Sequence, residues 1–131
     1  MKVCSICNKE YDGYGNNAWP FNRDDCCTTC NNSIVIPLRI FLSGSIKNQI
    51  LCINTNRELI YMPVNEEVKL ETLQELVNGY IEVYPIKDKY FYYIVNEEGI
   101  LRNMEYNVTA KEILGIDVYG SVVIVPKRLF K

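Results

Sequence analysis

Apolar residues recur with two periods along the chain. Alternation predicts short strands at Gln49–Ile53 and Glu58–Met62, flanking a hairpin turn at 54–57. Further strands are expected at Tyr80–Tyr84, which Pro85 ends, at Tyr90–Val95, and at Ile100–Met104 after the turn Asn96-Glu97-Glu98-Gly99. Ser121–Val125 is continuously apolar, as a central strand would be. Leu70, Leu73, Leu76 and Val77 fall on one helical face of Val68–Val77, and Asn78-Gly79 supplies the stop. Thr109-x-x-Glu112 reads as a capping box for a short helix ending at Gly115. Upstream, the β-branched run within Ile34–Leu42 reads as a strand, which Pro37 demotes to an edge or a bend. Ser43-Gly44-Ser45 reads as a linker. The expected architecture is α+β: a small module over residues 1–44, then a compact mixed sheet with two short helices over residues 45–131.

The first module carries five of the chain's six cysteines, and they change the picture. Cys4-x-x-Cys7 and Cys27-x-x-Cys30 have the spacing of a zinc ribbon, four soft ligands for one structural Zn2+. Cys26-x3-Cys30 is also a usable spacing, so Cys26 competes with Cys27 for the third position. Cys27 is preferred because a CxxC turn directs backbone N–H groups at its thiolates. The chain has no histidine, and four thiolates leave no open position for a catalytic water. Cys52 reads as a small buried strand residue.

Composition narrows the partners. Hydrophobic residues are 48% and charged residues 23%, which suits a packed core. The net charge is −2, and the module's cations are Lys2, Lys9, Arg23 and Arg39 against Glu10, Asp12, Asp24 and Asp25. Neither part has the positive excess of a phosphate-tracking surface. The opening residues lack the pattern of a signal peptide, and no apolar stretch is long enough for a bilayer span. The expectation is a protein of the reducing cytoplasm with no membrane partner.

Candidate binding residues lie in three places. The loop Gly13–Phe21 carries Tyr14, Asn16, Asn17 and Trp19, readable either as a recognition loop or, with Tyr11 and Phe21, as cover for the module's core. Tyr90 and Tyr92 share one strand face, which is either a tyrosine platform or core. Asn96, Glu97, Glu98 and Asn107 sit in or beside turns; paired carboxylates suit acid–base work, but turn and capping chemistry explains each residue type.

The segments Leu73–Ile86, Tyr93–Leu101, Asn107-x-x-Ala110 and Gly120–Val125 resemble a domain of unknown function common in tailed-phage and mobile-element genomes. The blocks around Cys4–Cys7, Gly13–Pro20 and Cys26–Asn31 resemble the cysteine-rich N-terminal module of small uncharacterised phage proteins. The resemblance implies a phage or prophage origin, and it implies no reaction.

Three functions fit. The first is a non-enzymatic phage accessory protein that binds and inhibits a host protein, for example one of an immune-defence system. The second is a nucleic-acid-binding zinc-ribbon regulator. The third is a sponge for a nucleotide signal, with a pocket at the interface of a homo-oligomer. An enzyme is the weakest reading, because no nucleophile–base pair and no phosphate-binding glycine loop is visible.

Overall fold

The computed structural model describes residues 2–44, 48–85, 88 and 90–130. Ser45, where the expected linker ends, and Ile86, where the first resembling segment ends, lie outside the described residues. The chain divides into two compact units, one built from residues 1–45 and 112–114 and a second from residues 46–111 and 115–131.

In the first unit, β1 (Lys2–Val3) pairs antiparallel with β2 (Glu10–Tyr11), and β3 (Asn16–Asn17) with β4 (Asp25–Cys26). A helical run follows: α1 (Thr28–Cys30), a π-turn over Asn31–Val35, and α2 (Ile36–Leu42). This overturns two expectations. Ile34–Leu42 is helical, not a strand, because its buried residues Val35, Leu38 and Phe41 recur every third position while Ile36 and Ile40 stay exposed. The second overturned expectation is that Pro37 marks an edge or a bend, since it sits in the first turn of α2, and the second cysteine pair opens the helical run.

Pro37 sits in the first turn of α2 and has no N–H to give to a carbonyl four residues back. The π-turn just before it, with the Ile36 N–H bonded to the Asn31 carbonyl, widens the helix where the proline ring needs room.

The second unit is a five-stranded sheet. Its strands are β5 (Gln49–Ile53), β6 (Leu59–Pro63), β7 (Ile81–Val83), β8 (Phe91–Asn96) and β9 (Val122–Pro126), in the order β6-β5-β9-β8-β7. Every pairing is antiparallel, where a mixed sheet was expected. Val122–Val125 is buried throughout, as a central strand demands. On one face, Ile50, Cys52, Ile94, Val123 and Val125 pack with Leu73 and Val77 of α3 (Leu70–Val77) and with Val68 and Leu129. Each such side chain contributes about 1.5–3 kcal/mol on full burial. Asn78 ends α3 in the left-handed conformation, with φ 60°.

Two further expectations fail. Ile100–Met104 is not a strand; residues 97–103 form a turn in which the Met104 N–H bonds the Gly99 carbonyl. The cap of α4 (Val108–Leu114) is Asn107, whose side chain accepts the Ala110 N–H, while Thr109 is buried inside the helix.

Candidate metal centre

The first knuckle is built from a tight reversal after β1. The Cys4 N–H bonds the Lys9 carbonyl at 2.9 Å, and the Asn8 N–H returns to the Cys4 carbonyl at 3.0 Å. Asn8 holds φ 61°, which asparagine tolerates better than most residues. The reversal points the N–H groups of Ile6 and Cys7 at Cys4 Sγ, 3.4 and 3.5 Å away. The second pair uses a helix start instead. Cys27 is the N-cap of α1, and its sulfur accepts the Cys30 N–H at 3.5 Å.

The four sulfurs of Cys4, Cys7, Cys27 and Cys30 lie within 4.8 Å of one another, and Cys7 and Cys27 are 3.9 Å apart. A tetrahedral ion bound to four thiolates at about 2.3 Å requires sulfur–sulfur edges of about 3.8 Å, so the donor set fits one ion. No cysteine is in a disulfide.

The proton balance agrees. Burial pushes the Cys4 thiol up, but the N–H groups of Cys7, Cys27 and Ile6 outweigh it and bring it down to about 6. Burial, then the neighbouring sulfurs, pushes the Cys30 thiol well above the ordinary range. A cation among the four sulfurs would favour the thiolate in all of them. Cys26 is buried in the apolar core with Ala18 and Val35 and is not one of the four clustered sulfurs; burial raises its thiol.

The loop between the pairs is held by bonds that the sequence did not announce. Arg39 of α2 donates to the Trp19 carbonyl at 2.6 Å and to the Asn17 carbonyl at 2.7 Å. The Asn17 side chain accepts the Trp19 N–H at 2.9 Å, and Asn16 donates to the Cys26 carbonyl at 3.3 Å and to Thr28 at 3.4 Å. Both asparagines are thus engaged in the loop's own structure. Asn22-x-Asp24 makes an Asx turn, a signal present in the sequence, and also bonds Ser5. Phe21 is buried, whereas Trp19 is 58% and Tyr14 95% exposed.

The candidates of the second unit separate. Asn96 is buried; it donates to the Val77 and Asn78 carbonyls at 2.9 and 3.1 Å and accepts the Glu98 N–H at 2.7 Å, closing the end of α3. Asn107 is fully buried; it donates to the Ile53 and Gly120 carbonyls, each at 2.9 Å. Their polar atoms are consumed by the fold. Tyr90 is exposed, whereas Tyr92 packs edge-on against Phe130 at 5.3 Å with the Lys127 ammonium 5.2 Å from its ring. Glu97 and Glu98 are exposed and line a cavity of about 440 Å³, joined there by Glu82 and Asp117. Those two were invisible to sequence reasoning because they come from distant segments.

Among the described residues, no helix is long and apolar enough to cross a membrane. No curated protein and no solved structure matches the chain. A family model does match residues 47–128, which span the whole sheet. That match covers well over half of the sequence, and the chain belongs to the family described as Domain of unknown function (DUF3846).

Proposed function

We propose that this chain acts by binding rather than catalysis, as a small phage or prophage accessory protein that engages and inhibits a host protein in the cytoplasm, a component of an immune-defence system being the type of target. Cys4, Cys7, Cys27 and Cys30 hold a structural Zn2+, for which four thiolates in a closed tetrahedral set are a common arrangement.

The observation that carries this reading is the loop of the first unit. Its backbone is fixed by Arg39 and Asn17, yet its largest aromatic, Trp19, stands mostly in solvent with Tyr14 nearby in sequence. A rigid frame displaying Trp and Tyr has little entropy left to lose on association, and these residue types dominate protein–protein hot spots. Nucleic acid is disfavoured because the module has few cations and Arg39 is already spent on two carbonyls.

The test is capture from bacterial lysate with three baits: the intact protein, the double variant Tyr14→Ala/Trp19→Ala, and the intact protein stripped of metal. The expected result is a nuclease-resistant protein partner retained only by the first bait. Partners that all vanish with nuclease, or a bound nucleotide without protein, would replace this reading with the nucleic-acid or sponge function.

A further inference from the structure

The second unit ends in an open strand beside an exposed apolar pair. β7 is an edge of the sheet. The Tyr84 N–H bonds the Tyr93 carbonyl at 2.8 Å and the Glu97 N–H bonds the Tyr80 carbonyl at 2.9 Å, so alternate residues from Tyr80 to Tyr84 turn their backbones toward β8. The alternation of an antiparallel ladder then turns the N–H and C=O groups of Ile81 and Val83 outward. Among the described residues nothing pairs with that edge.

Next to it, Ile100 is 70% and Leu101 82% exposed on the 97–103 turn. The turn is well fixed. The Arg102 N–H bonds the Glu98 carbonyl at 2.9 Å, and the Arg102 side chain donates to the Asn78 carbonyl at 2.5 Å. A Cβ at Gly99 would lie 2.5 Å from the Tyr119 carbonyl oxygen, so only glycine lets the turn sit this close. Two adjacent large apolar side chains held in water on an ordered frame are a feature of contact surfaces.

Between edge and turn lies the 440 Å³ cavity, lined by Glu82, Tyr84, Glu97, Glu98, Ile100 and Leu101 among others, with no lysine or arginine in its lining. Asp117, also in the lining, is already bonded by the Tyr106 hydroxyl at 2.6 Å and paired with Lys111 at 3.4 Å. Glu82, Glu97 and Glu98 have no cationic partner among the described residues. The edge and the apolar pair call for an extended chain, and the carboxylates select its charge.

We propose that β7 and this cleft dock an extended segment of a partner protein, which adds a strand to the sheet edge and places a lysine or arginine among Glu82, Glu97 and Glu98, with an apolar side chain two residues on against Ile100 and Leu101. Strand addition supplies main-chain bonds, and alternate side chains supply specificity. This surface is built from residues of the second unit alone, and the proposal does not rest on the aromatic loop.

The probes are short fluorescein-labelled peptides in which every second residue is Thr and the others alternate Ile with Lys, Ser or Glu, read by anisotropy with the full, metal-loaded chain. The Lys peptide should bind about tenfold or more tightly than the Glu peptide, with Ser between, and lose that advantage in high salt. Glu97→Gln/Glu98→Gln should weaken the Lys peptide roughly tenfold and leave the Ser peptide unchanged. Ile100→Ser/Leu101→Ser should weaken all three. If that apolar variant loses its circular dichroism, the carboxylate variant decides alone, since its substitutions are isosteric and exposed. Tyr14→Ala/Trp19→Ala should bind all peptides as the parent does. No peptide binding, equal binding of the Lys and Glu peptides, unchanged affinity in the glutamine variant, or displacement by single-stranded RNA would each overturn the proposal.

Discussion

The two units solve the same problem by opposite means. The first has strands of two residues and a small buried cluster of Cys4, Ala18, Cys26, Cys30 and Val35, with Phe21, Leu38 and Phe41 also buried. It instead brings four sulfurs within reach of a single ion. The second has five strands, two of which, β5 and β9, are almost wholly buried. The contrast teaches that stability in this chain is local in kind. Removing metal and cutting a core side chain should injure different residues.

The largest effect follows from breaking the metal cluster. Cys27→Ser should abolish metal binding and cost the first unit on the order of 10 kcal/mol, because metal affinity in such modules is folding energy. Hydrogen exchange should show protection lost over residues 2–44 while β5, β8 and β9 keep theirs. Cys26→Ser should retain one metal per chain and cost only about 1–3 kcal/mol for a poorly paired buried hydroxyl. Retention of metal by the first variant and its loss from the second would reverse the ligand assignment.

A smaller effect should come from the second unit. Asn107→Ala leaves the Ile53 and Gly120 carbonyls and the Ala110 N–H without their partner, at about 1–3 kcal/mol, with metal content unchanged. Thermal melting together with metal analysis checks both halves.

The smallest is a pH effect, read on the buried thiol and phenols of the sheet. Burial raises Cys52 from 9.0 to about 11 and Tyr61 from 10.0 to about 12, and raises Tyr93, whose hydroxyl also donates to Asp88, further still. These groups are protonated in the fold, so the stability they contribute is complete below their ordinary values and is lost as pH rises toward the folded ones. The melting temperature of the second unit should be level from neutral pH to about 9 and fall between about 9 and 12. In Cys52→Ala the start of that fall should move to higher pH. A melting temperature flat to pH 12 would contradict the burial of these groups.

Much of the sheet was readable because strand alternation and the final apolar run are direct consequences of burial on a pleated surface. The cysteine pairs were readable because a tetrahedral site needs ligands at short fixed spacings. The helix over Ile34–Leu42 was not, since β-branched residues suggest strands and only the three-residue recurrence of Val35, Leu38 and Phe41 contradicts them. Ile100 and Leu101 misled in the other direction, because an apolar pair after a turn looks like the start of a strand when it is an exposed tip. Thr109 was mistaken for a cap because its spacing to Glu112 fits the capping pattern, yet Asn107 reaches the Ala110 N–H first. The acidic cleft had no sequence signature, because Glu82, Glu97 and Asp117 meet only through strand order.

The helical run of the first unit begins at Cys27 and Cys30 and carries Arg39 in its later turns. The same rod therefore joins the sulfur cluster to the carbonyls of Asn17 and Trp19 that Arg39 grips. On the proposed function, ion loading and partner engagement by the loop would be linked equilibria: whatever factor the ion added to partner affinity, the partner would return to ion affinity. A host that withheld the ion would then disarm the loop without touching it, and a bound target would guard the ion against chelation.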